Sequence, residues 1–146
     1  MKSLLLKTLQ LIGAGMLLLG PTFGAQLDHG FTMQVPFSFV AGNQHLSAGA
    51  YTIKADASNG TVVIRCGDQG PSMVFGTFSA GENKEYARAK LVFKRYGNRY
   101  FLSQIWPAGA IGRELGKSRQ EVETAMTAPW PQTLTLIASA SRNASN

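Results

Sequence analysis

At 146 residues the chain has room for one ordinary domain and too little for two. Its 45% apolar and 15% charged content excludes wholesale disorder, and a formal charge of +6 is too small a surplus for a nucleic-acid-coating protein. Cys66 is the only cysteine, which excludes an intramolecular disulfide and leaves stability to burial.

Residues 1–24 read as a secretory signal peptide. Lys2 and Lys7 give a basic start, residues 8–19 an apolar run shorter than a membrane span, and Gly20-Pro21 a helix breaker before small residues at Thr22 and Gly24. Cleavage after Gly24 lowers the formal charge from +6 to +4 by removing the two lysines. The mature chain then carries no transmembrane segment and lies in the periplasm or outside the cell.

Residues 29–39 place Phe31, Met33, Val35, Phe37 and Phe39 at every second position, the pattern of a half-buried strand. Pro36 lacks the N–H for a sheet ladder, so the strand is an edge, bends or breaks there. Gly42-Asn43 and Gly49 mark turns around Leu46. Tyr51 and Ile53 begin a second strand, which Ser58-Asn59-Gly60 reverses into a β-branched third, residues 61–66. There Val62, Ile64 and Cys66 share one face, and Cys66 reads as a small buried hydrophobe. Residues 72–79 form a fourth strand in which Gly76 signals a bulge or a close backbone approach.

Residues 86–106 read as a hairpin about Gly97-Asn98, with Tyr96 opposite Arg99, Phe93 opposite Leu102, Leu91 opposite Gln104 and Ala89 opposite Trp106. This register sets Ala89, Leu91, Phe93, Leu102 and Trp106 on a core face. Arg88, Lys90 and Lys94 fall beside Phe101 and Ile105 on the other. Ser118 with Glu121 forms a capping box for a short helix over residues 119–127, with Val122, Ala125 and Met126 on its apolar side. Residues 133–138 supply a last strand within a 129–146 tail rich in Pro, Ser and Asn that is otherwise disordered. The whole reads as one all-β domain, residues 25–128. Its expected architecture is a small antiparallel sandwich or partly open barrel of six to seven strands with one short C-terminal helix.

Residues 35–53 (VPFSFVAGNQHLSAGAYTI), 90–106 (KLVFKRYGNRYFLSQIW) and 112–121 (GRELGKSRQE) resemble a family of small, uncharacterised exported proteins abundant in acidobacterial genomes. The resemblance covers roughly residues 31–122 and is most specific in the hairpin and the Gly-Arg-Glu-Leu segment. Ser47 stands where that pattern usually has Pro. The resemblance implies export and a β-rich fold, and no activity.

No catalytic, metal or cofactor constellation stands out. His29, His45 and Cys66 together supply less than a nucleophilic pair with its base, or a zinc site of about four ligands, requires. The carboxylates lie mostly in turns, where solvation or capping accounts for them. Arg113, just before the helix, is expected to lock the helix by pairing with a nearby carboxylate. The remaining candidate is the basic hairpin face, where Arg88, Lys90 and Lys94 with Phe101 suit an anionic polymer or another envelope component through charge and stacking. The expected function is a non-catalytic exported binding or structural module. The alternatives are a carrier of a small apolar ligand in a cavity under Trp106 and, behind it, a hydrolase. Neither nucleic acid nor a cofactor enters the reading, and no oligomeric state is encoded.

Overall fold

The computed structural model describes residues 29–81, 84–128 and 130–139, a mostly β chain with one short helix. Among these residues the strands are β1 (His29–Val35), β2 (Phe39–Ala41), β3 (Gln44–Leu46), β4 (Gly49–Asp56), β5 (Thr61–Cys66), β6 (Ser72–Ser79), β7 (Lys90–Tyr96), β8 (Arg99–Trp106), β9 (Arg113–Leu115) and β10 (Gln132–Ile137). The helix α1 (Arg119–Thr127) lies between β9 and β10. Ten strands replace the expected six to seven. The additional ones are β2, β3 and β9, each three residues long and too short to display a period-2 pattern. The signal peptide expected over residues 1–24 lies outside the described residues, as does the far end of the tail, whereas β10 lies inside the 129–146 stretch and is part of the sheet.

The first strand ends at Val35, one residue before Pro36, so the proline terminates pairing and the chain resumes as β2. β1, β4, β5 and β6 pair antiparallel in succession. β6 then changes partner: residues 72–76 pair with β5, and Thr77 to Ser79 pair with β9. The second group centres on β8. β7 occupies one edge of β8, and the other is divided between β9, at Gln104 and Ile105, and β2, in parallel at Phe101. Among the described residues β1, β3 and β10 each pair on one side only, so the sheet is open.

One apolar cluster collects both groups: Met33, Val35, Tyr51, Ile53, Val62 and Ile64 from the first, and Leu91, Phe93, Leu102, Ile105 and Leu115 from the second. Burying a side chain of this kind contributes roughly 1.5–3 kcal/mol, so this cluster dominates the favourable side of folding. Phe93 sits at its centre, with the Phe37 and Phe39 rings edge-on at 5.2 and 5.4 Å. Cys66 shares the face of Val62 and Ile64, but the cluster stops short of it. It is the last residue of β5 and is exposed, which corrects the buried reading.

The hairpin turns at Gly97-Asn98 as expected, with Gly97 at φ +63°, and Tyr96–Arg99 and Phe93–Leu102 are paired. Beyond them the register differs. Ser103 is left over, Gln104 pairs with Val92, Ile105 with Leu91 and Trp106 with Lys90. A bulge adds one residue to one strand and so reverses the facing of everything after it. Ile105 therefore joins the core, and Trp106, still buried, stands on the opposite face with Lys90.

Ser118 caps α1, accepting a hydrogen bond from the Glu121 N–H at 3.1 Å. The seated side of the helix is polar, contrary to the apolar stripe expected: Glu121 and Thr124 are buried, Val122 is exposed and Met126 is 78% exposed. The surface beneath dictates this, because it presents the Tyr96 hydroxyl, the Arg99 guanidinium and the His45 ring. Tyr96 donates to Glu121 Oε1 (3.3 Å), Arg99 Nη1 donates to Thr124 Oγ1 (2.9 Å), and Gln120 Nε2 lies 2.9 Å from His45 Nε2. Ala125 and Ala128, small enough for close approach, pack on Val40, Tyr96 and Phe101.

Candidate binding surface

Alternation along β7 sends Lys90, Val92 and Lys94 to the face opposite Leu91 and Phe93. Tyr86 bridges Ala108 in parallel, and Gly109 donates its N–H to the Tyr86 carbonyl (2.9 Å), which fixes the Tyr86 ring edge-on to Trp106 at 5.0 Å. The Lys90 ammonium lies 3.3 Å from the Tyr86 ring centroid and 5.0 Å from that of Trp106. An ammonium held over two ring faces keeps its charge at the surface in a fixed place. Arg88 donates through Nε and Nη2 to the Ala138 carbonyl at 3.1 and 2.7 Å, clipping the end of β10 to the loop before β7. Tyr86, Arg88, Lys90, Thr135 and Ile137 line an open groove of about 310 Å³.

The four residues singled out in the sequence thus divide. Arg88, Lys90 and Lys94 share the outer face, with Lys94 placed toward Glu121 at the helix. Phe101 points to that side too, but α1 covers it and it is 1% exposed, so it supports the surface from beneath. The space under Trp106 is filled. A Cβ added at Gly112 would fall 2.5 Å from indole carbons, so the Gly112 backbone lies directly against the ring.

The other candidates have structural places. Arg113 is buried and, among the described residues, meets no carboxylate in the role expected of it. Its Nε donates to Thr77 Oγ1 (2.9 Å) and its Nη2 to the Thr77 carbonyl (2.7 Å), while Thr77 Oγ1 donates to the Gly60 carbonyl (2.7 Å). The arginine locks β6 to β9 and the Asn59-Gly60 turn, not the helix. Asp56 Oδ1 accepts from the Ser58 N–H (2.9 Å) and hydroxyl (2.5 Å), which holds its carboxyl below the ordinary range and assigns it to the turn. Burial pushes the Glu121 carboxyl up. The Tyr96 hydrogen bond and the charges of Lys117 and Lys94 oppose that rise, and Glu114 adds to it. Among the described residues no three His, Cys, Asp or Glu side chains cluster to hold a metal ion.

A second groove, of about 390 Å³, was not foreseen. It opens where β9 parts from β6, between Val74, Phe75, Gly76 and Phe78 on one wall and residues 115–119 on the other, with the Gly42-Asn43 turn at its end. Its one signal in the sequence was Gly76, a glycine inside a strand.

The chain matches no family model, no curated protein and no solved structure. Its function is therefore argued from its own surface.

Proposed function

We propose that the chain is an exported, non-catalytic binding module that meets an anionic polymer or another anionic component of the cell envelope through the outer face of β7 and β10. The observation that carries this reading is the Lys90 ammonium held over Tyr86 and Trp106 beside an open groove, with Arg88 in the same groove and Lys94 further along the strand. Cations fixed by aromatic rings lose little freedom when an anion arrives, and the rings offer stacking surface. The basic start and apolar run of residues 1–24, and the resemblance to exported acidobacterial proteins, support export.

Co-sedimentation of the purified chain with cell-envelope fractions and with a soluble polyuronate tests the reading. Lys90→Glu with Lys94→Glu should abolish retention, and wild-type retention should fall steeply with added salt, because exposed charges are screened. Retention unchanged by the double reversal would sink it. Arg88 is left intact in this test because it also anchors β10.

A further inference from the structure

The Thr77 N–H donates to the Gly60 carbonyl at 2.8 Å, on the β5 side of β6. Backbone polar groups alternate in direction along an antiparallel strand, so those of Phe78, Gly76 and Val74 point the other way. At Phe78 that edge is occupied by Glu114 of β9, and the Ala80 N–H continues the ladder to the Gly112 carbonyl at 3.0 Å. Past Leu115 the chain leaves β6 through residues 116–118 and enters α1. Among the described residues the β9 ladder ends at the Thr77–Leu115 pair, beside the Gly76 carbonyl, and no strand takes the same edge at Val74. Val74 and Gly76 line the 390 Å³ groove, so a short open strand edge forms part of its wall.

The side chains around that edge are complementary to a particular kind of partner. Val74 and Phe78 are 66% and 70% exposed and flank Gly76 on one face. No heavy atom lies within 4 Å of the Cβ position at Gly76, and its φ lies outside the left-handed region, so neither crowding nor backbone strain calls for glycine. A bare backbone at that point lets another main chain approach closely. Lys117 stands on the opposite wall with Arg119, whose Nε donates to Glu123 Oε1 at 3.0 Å in an exposed pair that an incoming carboxylate can share, so Lys117 carries most of the charge preference.

We propose that this groove takes an extended acidic peptide segment, which adds as a strand to the β6 edge at Val74 and Gly76 and sets its carboxylates against Lys117 and Arg119. Main-chain hydrogen bonds supply affinity in this mode, and the flanking side chains supply preference. Val74 and Phe78 receive the apolar residues of the segment. This site is separate from the Lys90 surface and stands or falls without it.

Fluorescence anisotropy of a labelled Glu-Val-Thr-Val-Glu-Thr peptide against the purified chain tests the proposal, with the same peptide carrying Lys for Glu as control. The acidic peptide should bind saturably and the lysine peptide at least about fivefold more weakly. Gly76→Pro removes an N–H that faces the groove and none that faces β5. It should weaken binding roughly tenfold and leave β circular dichroism unchanged. Lys117→Glu, in an exposed loop, should reverse the preference between the two peptides even if the proline variant folds poorly. Absence of saturable binding, equal binding of both peptides, or a preference untouched by Lys117→Glu would overturn the proposal.

Discussion

The Tyr96 hydroxyl donates to Glu121 Oε1 at 3.3 Å, joining the tip of the β7–β8 hairpin to the first turn of α1. Because burial raises the Glu121 carboxyl, the folded chain binds that proton more tightly than the unfolded chain does. This group therefore opposes folding while it is ionised, and the opposition is relieved as pH falls through its raised folded value. In urea titrations, wild type should gain stability relative to Glu121→Gln as pH is lowered from 7 toward the ordinary carboxylate range. A difference that does not vary with pH would remove Glu121 as the cause. Asp56 acts in the opposite sense: its lowered carboxyl contributes stability above its unfolded value, which is lost as pH falls through the folded one.

Arg113 is expected to matter more than any exposed cation. Replacing it by Ala leaves the Thr77 hydroxyl and carbonyl without their donors and empties a buried site, at a cost of about 2–4 kcal/mol. Thr77→Val removes the hydroxyl between Arg113 and Gly60 and should cost about 1–3 kcal/mol. Urea unfolding of the two single variants and the double variant should show strong non-additivity, since both act on one network.

Gly112 and Gly76 should respond oppositely to alanine. At Gly112 the new Cβ meets the Trp106 ring at 2.5 Å, so the indole must move, costing about 1–3 kcal/mol and shifting its fluorescence. At Gly76 the Cβ enters open space in a strand, and the substitution should stabilise the fold by a few tenths to about 1 kcal/mol. Thermal melts of the two variants provide the comparison.

On α1, Met126→Gln should change stability by less than about 0.5 kcal/mol because the side chain is in solvent. Ala125→Glu should cost several-fold more, since it drives a carboxylate between the helix and the packed Val40, Tyr96 and Phe101. An apolar-stripe reading of the helix predicts a large effect at Met126, so the pair of variants discriminates.

Much of the fold was legible where local chemistry decides it. The Gly97-Asn98 and Asn59-Gly60 turns, the break at Pro36, the Ser118 cap and the helix bounds follow from backbone constraints on a few adjacent residues. The facing of Ile105 and Trp106 did not, because the bulge at Ser103 leaves no mark in a run of strand-forming residues and reverses both. The polar seat of α1 was hidden for another reason. Whether Glu121 is buried depends on what packs over it, and Tyr96 and Lys94 are brought near it only by the tertiary fold. Of the candidate surface, Arg88, Lys90 and Lys94 were readable from alternation, whereas the burial of Phe101 depends on where α1 lands. The β6 groove exists because two strands diverge, which no single segment encodes.

β6 also has a mechanical meaning. Among the described residues the ladder joining the group of β1, β4, β5 and β6 to the group centred on β8 consists of three residue pairs between β6 and β9. The longest ladders lie within the groups, seven pairs for β1–β4 and six for β10–β7, whereas β8–β9 has two. The halves are thus coupled chiefly by interdigitated side chains and by the Arg113 clamp. The least costly partial opening is a parting at β9, along its short ladders to β6 and β8, with the longer ladders intact. Amide exchange should accordingly resolve two cooperative units, and a load pulling the two groups apart should break the molecule at β9.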